Sequence, residues 1–179
     1  MASKKTIYLF KIVVDYLGGF ALAMLSIPLI IVLCVIITIR YGCFPIYSQT
    51  RIGRHGKPFR IYKLKTLYNE TSPSQDRFTR FLRKTNMDEL PQLFNVLMGS
   101  MSLVGPRPHL EDHVKQYEPW QRERLLVKPG ITGLRQIAKP GKLEFNELVE
   151  LDIAYINNRN LGADIHILIK TICIQFQKF

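Results

Sequence analysis

Cysteine is scarce in this chain: the three present, Cys34, Cys43 and Cys173, are widely separated and odd in number. They form neither a metal-type spacing nor a disulfide framework, which places the polar part of the chain in a reducing compartment. Acidic residues are also few, 14 against 25 lysines and arginines. The formal net charge of +11 falls mostly after residue 40, so that surface attracts anions: nucleic acid, anionic lipid headgroups or phosphorylated substrates. No internal repeat, low-complexity tract or glycine-rich loop of the common nucleotide-binding types is present. Gly99-Ser100-Met101-Ser102 lacks the flanking glycines of a nucleophile elbow. A length of 179 residues holds one compact domain and little more.

Between Tyr16 and Ile39 charge is missing altogether, and the run Leu29 to Ile37 has no polar face. Lipid is the natural solvent for such a segment. A membrane anchor favours anionic lipid or phosphorylated substrates over nucleic acid as partners of the basic surface. A signal peptide fits poorly, because the apolar stretch is too long and no small-residue cleavage site precedes Arg40. Small residues are likewise missing before Cys34, which argues against a lipid-modified cysteine. Both flanks are basic, with Lys4, Lys5 and Lys11 before the segment and Arg40, Arg51, Arg54, Lys57 and Arg60 after it. A single crossing normally shows a basic excess on one side only. Pro28, near the middle of the run, removes a backbone donor, and Ser26 offers a hydroxyl to the freed backbone. A break at Pro28 would return the chain to the side it came from; the alternative is a kinked helix that spans.

Beyond the anchor, Gly42, Pro45, Gly53 and Gly56 mark irregular turns, and residues 58 to 66 alternate apolar with basic or polar side chains, as a strand with one positive face does. Residues 69 to 76 read as an exposed loop and Phe78 to Arg83 as a brief helix. Further helices are expected from Leu110 to Leu126, ended by Pro129-Gly130, and from Phe145 to Asn157. In the last stretch Ile165, Leu168, Ile169, Ile172 and Phe176 share one helical face, which suits either a core-facing helix or one lying on a bilayer.

The chemistry concentrates between residues 86 and 108. Pro91 is tolerated only in a first helical turn, so a helix is expected to begin near Asp88 and Glu89, where backbone amides and the positive dipole end favour anions. Acidic residues also occur in first turns simply to complement the dipole. Phosphoryl transfer needs a nucleophile, cations around the phosphates and often a bridging metal. Asp88 can act as a carboxylate nucleophile and Glu89 can hold Mg²⁺ or manage a proton. Lys63, Lys65, Arg83 and Arg107 can pair with phosphate oxygens, and Pro106 and Pro108 would stiffen the backbone presenting Arg107. Each of these cations taken singly also suits solvated surface. His109, Glu111, Asp112 and His113 resemble metal ligands but lack the zinc-protease order, which favours a structural or solvated role.

Six motifs stand in order: Gln49-Thr50-Arg51-Ile52-Gly53-Arg54, Gly56-Lys57-Pro58-Phe59, Tyr62-Lys63-Leu64-Lys65-Thr66, Asp88-Glu89-Leu90-Pro91-Gln92-Leu93, Ser102-Leu103-Val104-Gly105-Pro106-Arg107-Pro108 and Lys128-Pro129-Gly130-Ile131-Thr132-Gly133-Leu134. With the late Glu150-Leu151-Asp152, their order and spacing resemble the bacterial sugar transferases called small monotopic phosphoglycosyl transferases, over nearly the whole chain. The resemblance implies an α/β fold, mainly helical with a short β element. It implies a re-entrant helix-break-helix anchor over residues 1–40, and a catalytic domain with interfacial amphipathic helices over 41–179, on the cytoplasmic face of the bacterial cytoplasmic membrane. It implies that Asp88 attacks the β-phosphate of a UDP-sugar and UMP leaves. A polyprenyl phosphate then takes the phosphosugar, with Mg²⁺ as cofactor, Asp88 and Glu89 as metal ligands, and no nucleic-acid partner. Arg83 and Arg107 match basic positions near the phosphates, and Lys63 and Lys65 the basic strand. Two departures stand out. Ile27, not serine, precedes Pro28, and Arg135-Gln136-Ile137-Ala138-Lys139-Pro140 lacks the arginine usual after this Gly-Leu, leaving Arg135, Lys139 or Lys142 to contact an anion in its place. Two other readings remain: a non-catalytic module binding anionic lipid or nucleic acid, and a phosphotransferase on a spanning helix acting by one-step displacement.

Overall fold

The computed structural model describes residues 4–68, 76–138 and 143–177. Its first element is a 38-residue helix, α1 (Lys4–Tyr41), whose segment Leu9–Tyr41 is long and apolar enough to cross a membrane. The expected break at Pro28 is not a break in secondary structure, because helix continues on both sides of the proline. An interior proline costs roughly 3 kcal/mol, and packing offsets it: Ala23 before Pro28 and Ile30, Leu33 and Ile37 after it are all buried.

Both halves of α1 are fastened to the rest of the chain. In the first half, Lys11 pairs with Asp164 at 2.8 Å, and Asp15 accepts from the Ser102 hydroxyl at 2.8 Å and the Leu103 amide at 3.0 Å. Gly19 packs so closely that a Cβ there would stand 3.0 Å from Val96 Cγ1. In the second half, Leu33 and Ile37 share a cluster with Leu64 and Leu82, Tyr41 stacks on Tyr68 at 3.9 Å, and Arg40 and Tyr41 both bond Asp76. The opposite face, including Leu17, Phe20, Leu25 and Ile39, is exposed.

After α1 comes an antiparallel hairpin of β1 (Ile46–Ile52) and β2 (Pro58–Leu64), in register from Ile46↔Leu64 to Ile52↔Pro58. The turn between them carries positive φ at His55 and Gly56. Then follow α2 (Arg77–Lys84), α3 (Gln92–Leu97), β3 (Ser102–Val104), α4 (Glu111–Lys115), β4 (Gly130–Thr132), α5 (Leu134–Ile137), α6 (Phe145–Asn158) and α7 (Leu161–Phe176). β3 and β4 pair in parallel, so closely at one end that a Cβ on Gly130 would lie 2.1 Å from the Gly105 nitrogen. One core joins Ala23 of α1 to Ile61, Leu93, Val96, Leu103, Tyr155 and Ile167.

The expected helices near 78–83 and 145–157 form, as does the strand from residue 58. The single helix expected over 110–126 does not. It divides into α4 and a 3₁₀ segment, Trp120–Leu126, because Pro119 has no amide hydrogen with which to continue an α ladder. The loop expected over 69–76 lies outside the described residues up to residue 75; Asp76 caps α2 by accepting from the Thr79 amide at 2.8 Å. In α7 Ile165, Ile169, Ile172 and Phe176 of the expected stripe face outward, but Leu168 is half-buried against the core and Asp164 and Ile167 are buried.

Candidate active site

Asn86, in the left-handed region at φ 54°, turns the chain out of α2 into a 3₁₀ turn, Met87–Glu89. The acidic pair therefore precedes α3 and does not open it: Pro91 is its N-cap, and the missing Pro91 donor stops an α ladder from running back to Asp88. What positions the pair is Asn95. Its carboxamide accepts from the Tyr62 amide at 3.1 Å and donates to the Arg60 carbonyl at 2.7 Å, locking α3 against β2. Lys63, on that strand, donates to Glu89 Oε1 at 2.7 Å, and Arg107 donates to the same oxygen at 2.8 Å.

Two adjacent carboxylates thus acquire opposite characters. Asp88 is 8% exposed and in no ion pair among the described residues. Burial, reinforced by the Glu89 charge, raises its pKa to about 6 against the pull of Lys63 and Arg83. For Glu89 burial also favours the neutral acid, but the charges and hydrogen bonds of Arg107 and Lys63 outweigh it and hold the group at about 2. Near neutral pH Asp88 is an unpaired, poorly solvated carboxylate, which is the condition of a nucleophile, while Glu89 is a permanent anion.

These residues line a cleft of about 940 Å³, large enough for a nucleotide-sized ligand. The cleft gathers Lys63, Lys65, Arg83 and Arg107 of the expected set around Asp88 and Glu89. Arg83 also donates to Thr66 Oγ1 at 2.9 Å. Pro106 and Pro108 are buried and stand behind Arg107, not in the cleft. Arg135 is likewise outside it, with Nη1 3.0 Å from His109 Nε2 in a separate cluster. Lys139 and Lys142 lie outside the described residues.

That cluster carries the Arg107 turn from behind. Arg124 donates to the Arg107 carbonyl at 2.8 Å, pairs with Asp152 at 2.5 Å and donates to the Tyr117 hydroxyl at 2.8 Å. His109 sits beside it, its pKa pushed down to about 3 by burial and by Arg124 and Arg135. His109 is held by Arg124 and Arg135, and no group of three or more His, Cys, Asp or Glu suited to a metal occurs among the described residues.

Arg51 belongs to the cleft and was visible in the sequence only as a flanking charge and a motif member. It projects from β1, bonds Gln49 Oε1 at 2.7 Å and leaves its buried Nε without a hydrogen bond among the described residues. The signal for it was alternation: Tyr47, Gln49 and Arg51 fall on one face of a strand, and cross-strand pairing puts Lys63 on that face too.

A family model described as bacterial sugar transferase matches residues 6–178. The chain belongs to that family. It is 40% identical over 146 residues to an uncharacterized sugar transferase, EpsL, of Bacillus subtilis, covering 76% of this chain and 72% of that protein. It is 38% identical over 183 residues to a UDP-glucose:undecaprenyl-phosphate glucose-1-phosphate transferase of Caulobacter vibrioides, covering 90% of this chain and 68% of that protein. With the galactosyl transferase CpsE of Streptococcus agalactiae the identity is 40% over 150 residues, 71% of this chain but 33% of that protein. The chain spans only about a third of the length of some of the relatives it matches.

Whether Mg²⁺ suits the cleft turns on its donors. Magnesium is usually bound by one or two carboxylates together with substrate phosphates. Glu89 Oε1 takes the bonds from both cations, and no ion pair within 4 Å engages Glu89 Oε2 or the Asp88 carboxylate among the described residues. The donors present fit a metal completed by a substrate diphosphate; a protein-only cage is not formed by the described residues.

Proposed function

We propose that this sugar transferase moves a sugar 1-phosphate from a UDP-sugar to polyprenyl phosphate through a covalent phosphosugar on Asp88, releasing UMP and giving a polyprenyl diphosphate sugar that begins a glycan. The observation that carries the proposal is the division of labour within the acidic pair: Asp88 unpaired and desolvated, Glu89 held ionised by Lys63 and Arg107. An Asp88 oxygen attacks the β-phosphorus, the bond from that phosphorus to the bridging oxygen breaks, and UMP departs with the electron pair. A phosphate oxygen of the acceptor then attacks the same phosphorus, and the bond to Asp88 breaks, restoring the carboxylate. Arg51, Lys63, Arg83 and Arg107 spread positive charge over the phosphate oxygens as these bonds change. When bound by Glu89 and Asp88 with the substrate phosphates, Mg²⁺ supplies further charge neutralisation.

The same reading makes the protein monotopic, on the cytoplasmic face of the cytoplasmic membrane. Lys11 and Arg40 lie at opposite ends of the apolar segment and pair with Asp164 and Asp76 of one domain. A helix fastened at both ends to one domain does not carry one of its ends across a bilayer. The outward apolar faces of α1 and α7 then lie in lipid, beside the acceptor.

The test omits the acceptor. Incubation with a panel of UDP-sugars and Mg²⁺ should release UMP in a burst of one per enzyme and leave a phosphosugar on the Asp88 peptide, seen by mass spectrometry. Labelled UMP should exchange into the UDP-sugar. Asp88→Asn should show none of these; turnover by that variant near the parent rate overturns the covalent assignment.

A further inference from the structure

Two of the cations around Asp88 have their charge answered inside the protein: Lys63 and Arg107 both bond Glu89 Oε1, at 2.7 and 2.8 Å. Arg83 is held differently. Its Nε donates to the Thr66 hydroxyl at 2.9 Å, and no carboxylate pairs with it among the described residues. A hydroxyl fixes a guanidinium without cancelling its charge, whereas a carboxylate does both. Held at Nε, Arg83 keeps the N–H groups of its two Nη atoms, the edge with which an arginine grips two phosphate oxygens at once. Both ends of the bond are themselves fastened. Thr66 is 7% exposed and lines the cleft. Beside it the Lys65 amide donates to the Pro45 carbonyl at 2.7 Å, and Tyr68, stacked on Tyr41, donates its hydroxyl to the Lys65 carbonyl. Arg83 stands in the last turn of α2, whose N-cap Asp76 is bonded by Arg40 and Tyr41. The charge so placed is felt at Asp88, where Arg83 and Lys63 are the two cations opposing the effect of burial.

We infer that Thr66 is a positioning residue: its hydroxyl holds the Arg83 guanidinium so that an uncancelled charge stays beside Asp88 and the Nη edge is left for the phosphate oxygens of the donor. The inference rests on the proposed function and adds to it a residue that acts through Arg83. Without the hydroxyl, the long arginine stem is free to carry its charge into solvent, and both Asp88 and the phosphates lose it. A threonine that only filled space would work through its methyl group, and one that positions Arg83 works through its hydroxyl. Thr66→Val keeps the methyl and removes the hydroxyl; Thr66→Ser does the reverse.

The first arm of the experiment needs no turnover. In the full chain in lipid nanodiscs, the infrared band of the protonated Asp88 carboxyl, identified as the one missing from Asp88→Asn, is titrated with pH. Its midpoint should move to higher pH in Thr66→Val and stay at the parent's in Thr66→Ser. In the second arm, kcat/KM for the UDP-sugar should fall about tenfold in Thr66→Val, with its acid limb moving to higher pH, and Thr66→Ser should keep most of the parent's activity. An unmoved midpoint in Thr66→Val, or a Thr66→Ser variant that behaves as Thr66→Val does, overturns the inference. In an Arg83→Gln background Thr66→Val should change neither reading further; a further fall of the same size shows that the threonine does not act through Arg83, and also overturns it. If Thr66→Val does not fold, Thr66→Cys, whose sulfur is a weak acceptor, takes its place with the same outcomes. If the parent forms no phosphosugar on Asp88, the proposed function fails, while the infrared titration still decides whether Thr66 holds the Arg83 charge beside Asp88.

Discussion

Asp88 and Glu89 are neighbours in sequence whose surroundings separate them by several pH units, and rate and stability should both report it. In the proposed mechanism the nucleophile is the ionised Asp88, so kcat/KM should rise with pH through about 6 and then level off. Stability runs the other way. The folded-state pKa lies above the ordinary 3.8, so Asp88 contributes stability that is present below about pH 4 and lost as pH rises through about 6. Asp88→Asn should therefore be more heat-stable than the parent at pH 7, by something of the order of 3 kcal/mol, and should lose that advantage at pH 4. Calorimetry at the two pH values checks it. Glu89→Gln removes a charge that raises the Asp88 pKa, so its residual activity should be far below the parent's, with the acid limb moved to lower pH and an altered magnesium titration. An unmoved limb would separate the two carboxylates electrostatically. Sequence alone singled out Asp88, Glu89 and Arg107 because charged residues near a proline-marked turn and between prolines are conspicuous, and Lys63 and Lys65 because residues 58 to 66 alternate. Arg51 was signalled only by the alternation of β1, and Asn95 by nothing local, since its importance comes from bonds between α3 and the distant β2.

Among the elements, α1 shows how a local signal can be right about chemistry and incomplete about shape. Its apolar run and Pro28 were plain, but the proline ends no helix because burial on both sides of it holds the helix together. After replacement of the three native cysteines, cysteines introduced at positions 4 and 60 should be equally shielded from a membrane-impermeant thiol reagent in intact cells. Reaction at position 4 alone would show a spanning helix. Asp15→Ala strips the buried Leu103 amide of its acceptor and leaves the Ser102 hydroxyl only the Val104 carbonyl. A loss of about 1–3 kcal/mol is expected, read as a lower melting temperature in detergent. β1 was hidden among turn-forming residues, and β3 and β4 are three residues each, too short for periodicity to register. α7 was legible as a striped helix, but only the packing shows that its stripe points outward.

At the scale of the molecule, the Arg124–Asp152 pair joins the Arg107 turn, the Trp120–Leu126 segment and α6. Both side chains are almost fully buried, so removing one partner strands a charge. Asp152→Ala should cost about 3–5 kcal/mol, whereas the paired change Arg124→Met with Asp152→Leu should recover much of that stability. The paired variant should nevertheless be impaired in activity, because only there does the Arg107 carbonyl lose its donor; full recovery of stability and activity together would show that the cluster serves packing alone.

The fastening of α1 also sets an order of events during synthesis. Lys11 meets Asp164 across 153 residues of sequence, and Asp15 meets Leu103 across 88. Of the elements described, the first in the chain, α1, is completed by the last, α7. Contacts so distant along the chain form late, since the intervening loop must be closed before they stabilise anything. A nascent chain halted before α7 would hold an apolar helix that lacks the Lys11–Asp164 pair and the Ile167 side of the core. Cotranslational insertion of α1 would keep that helix from aggregating while it waits for α7.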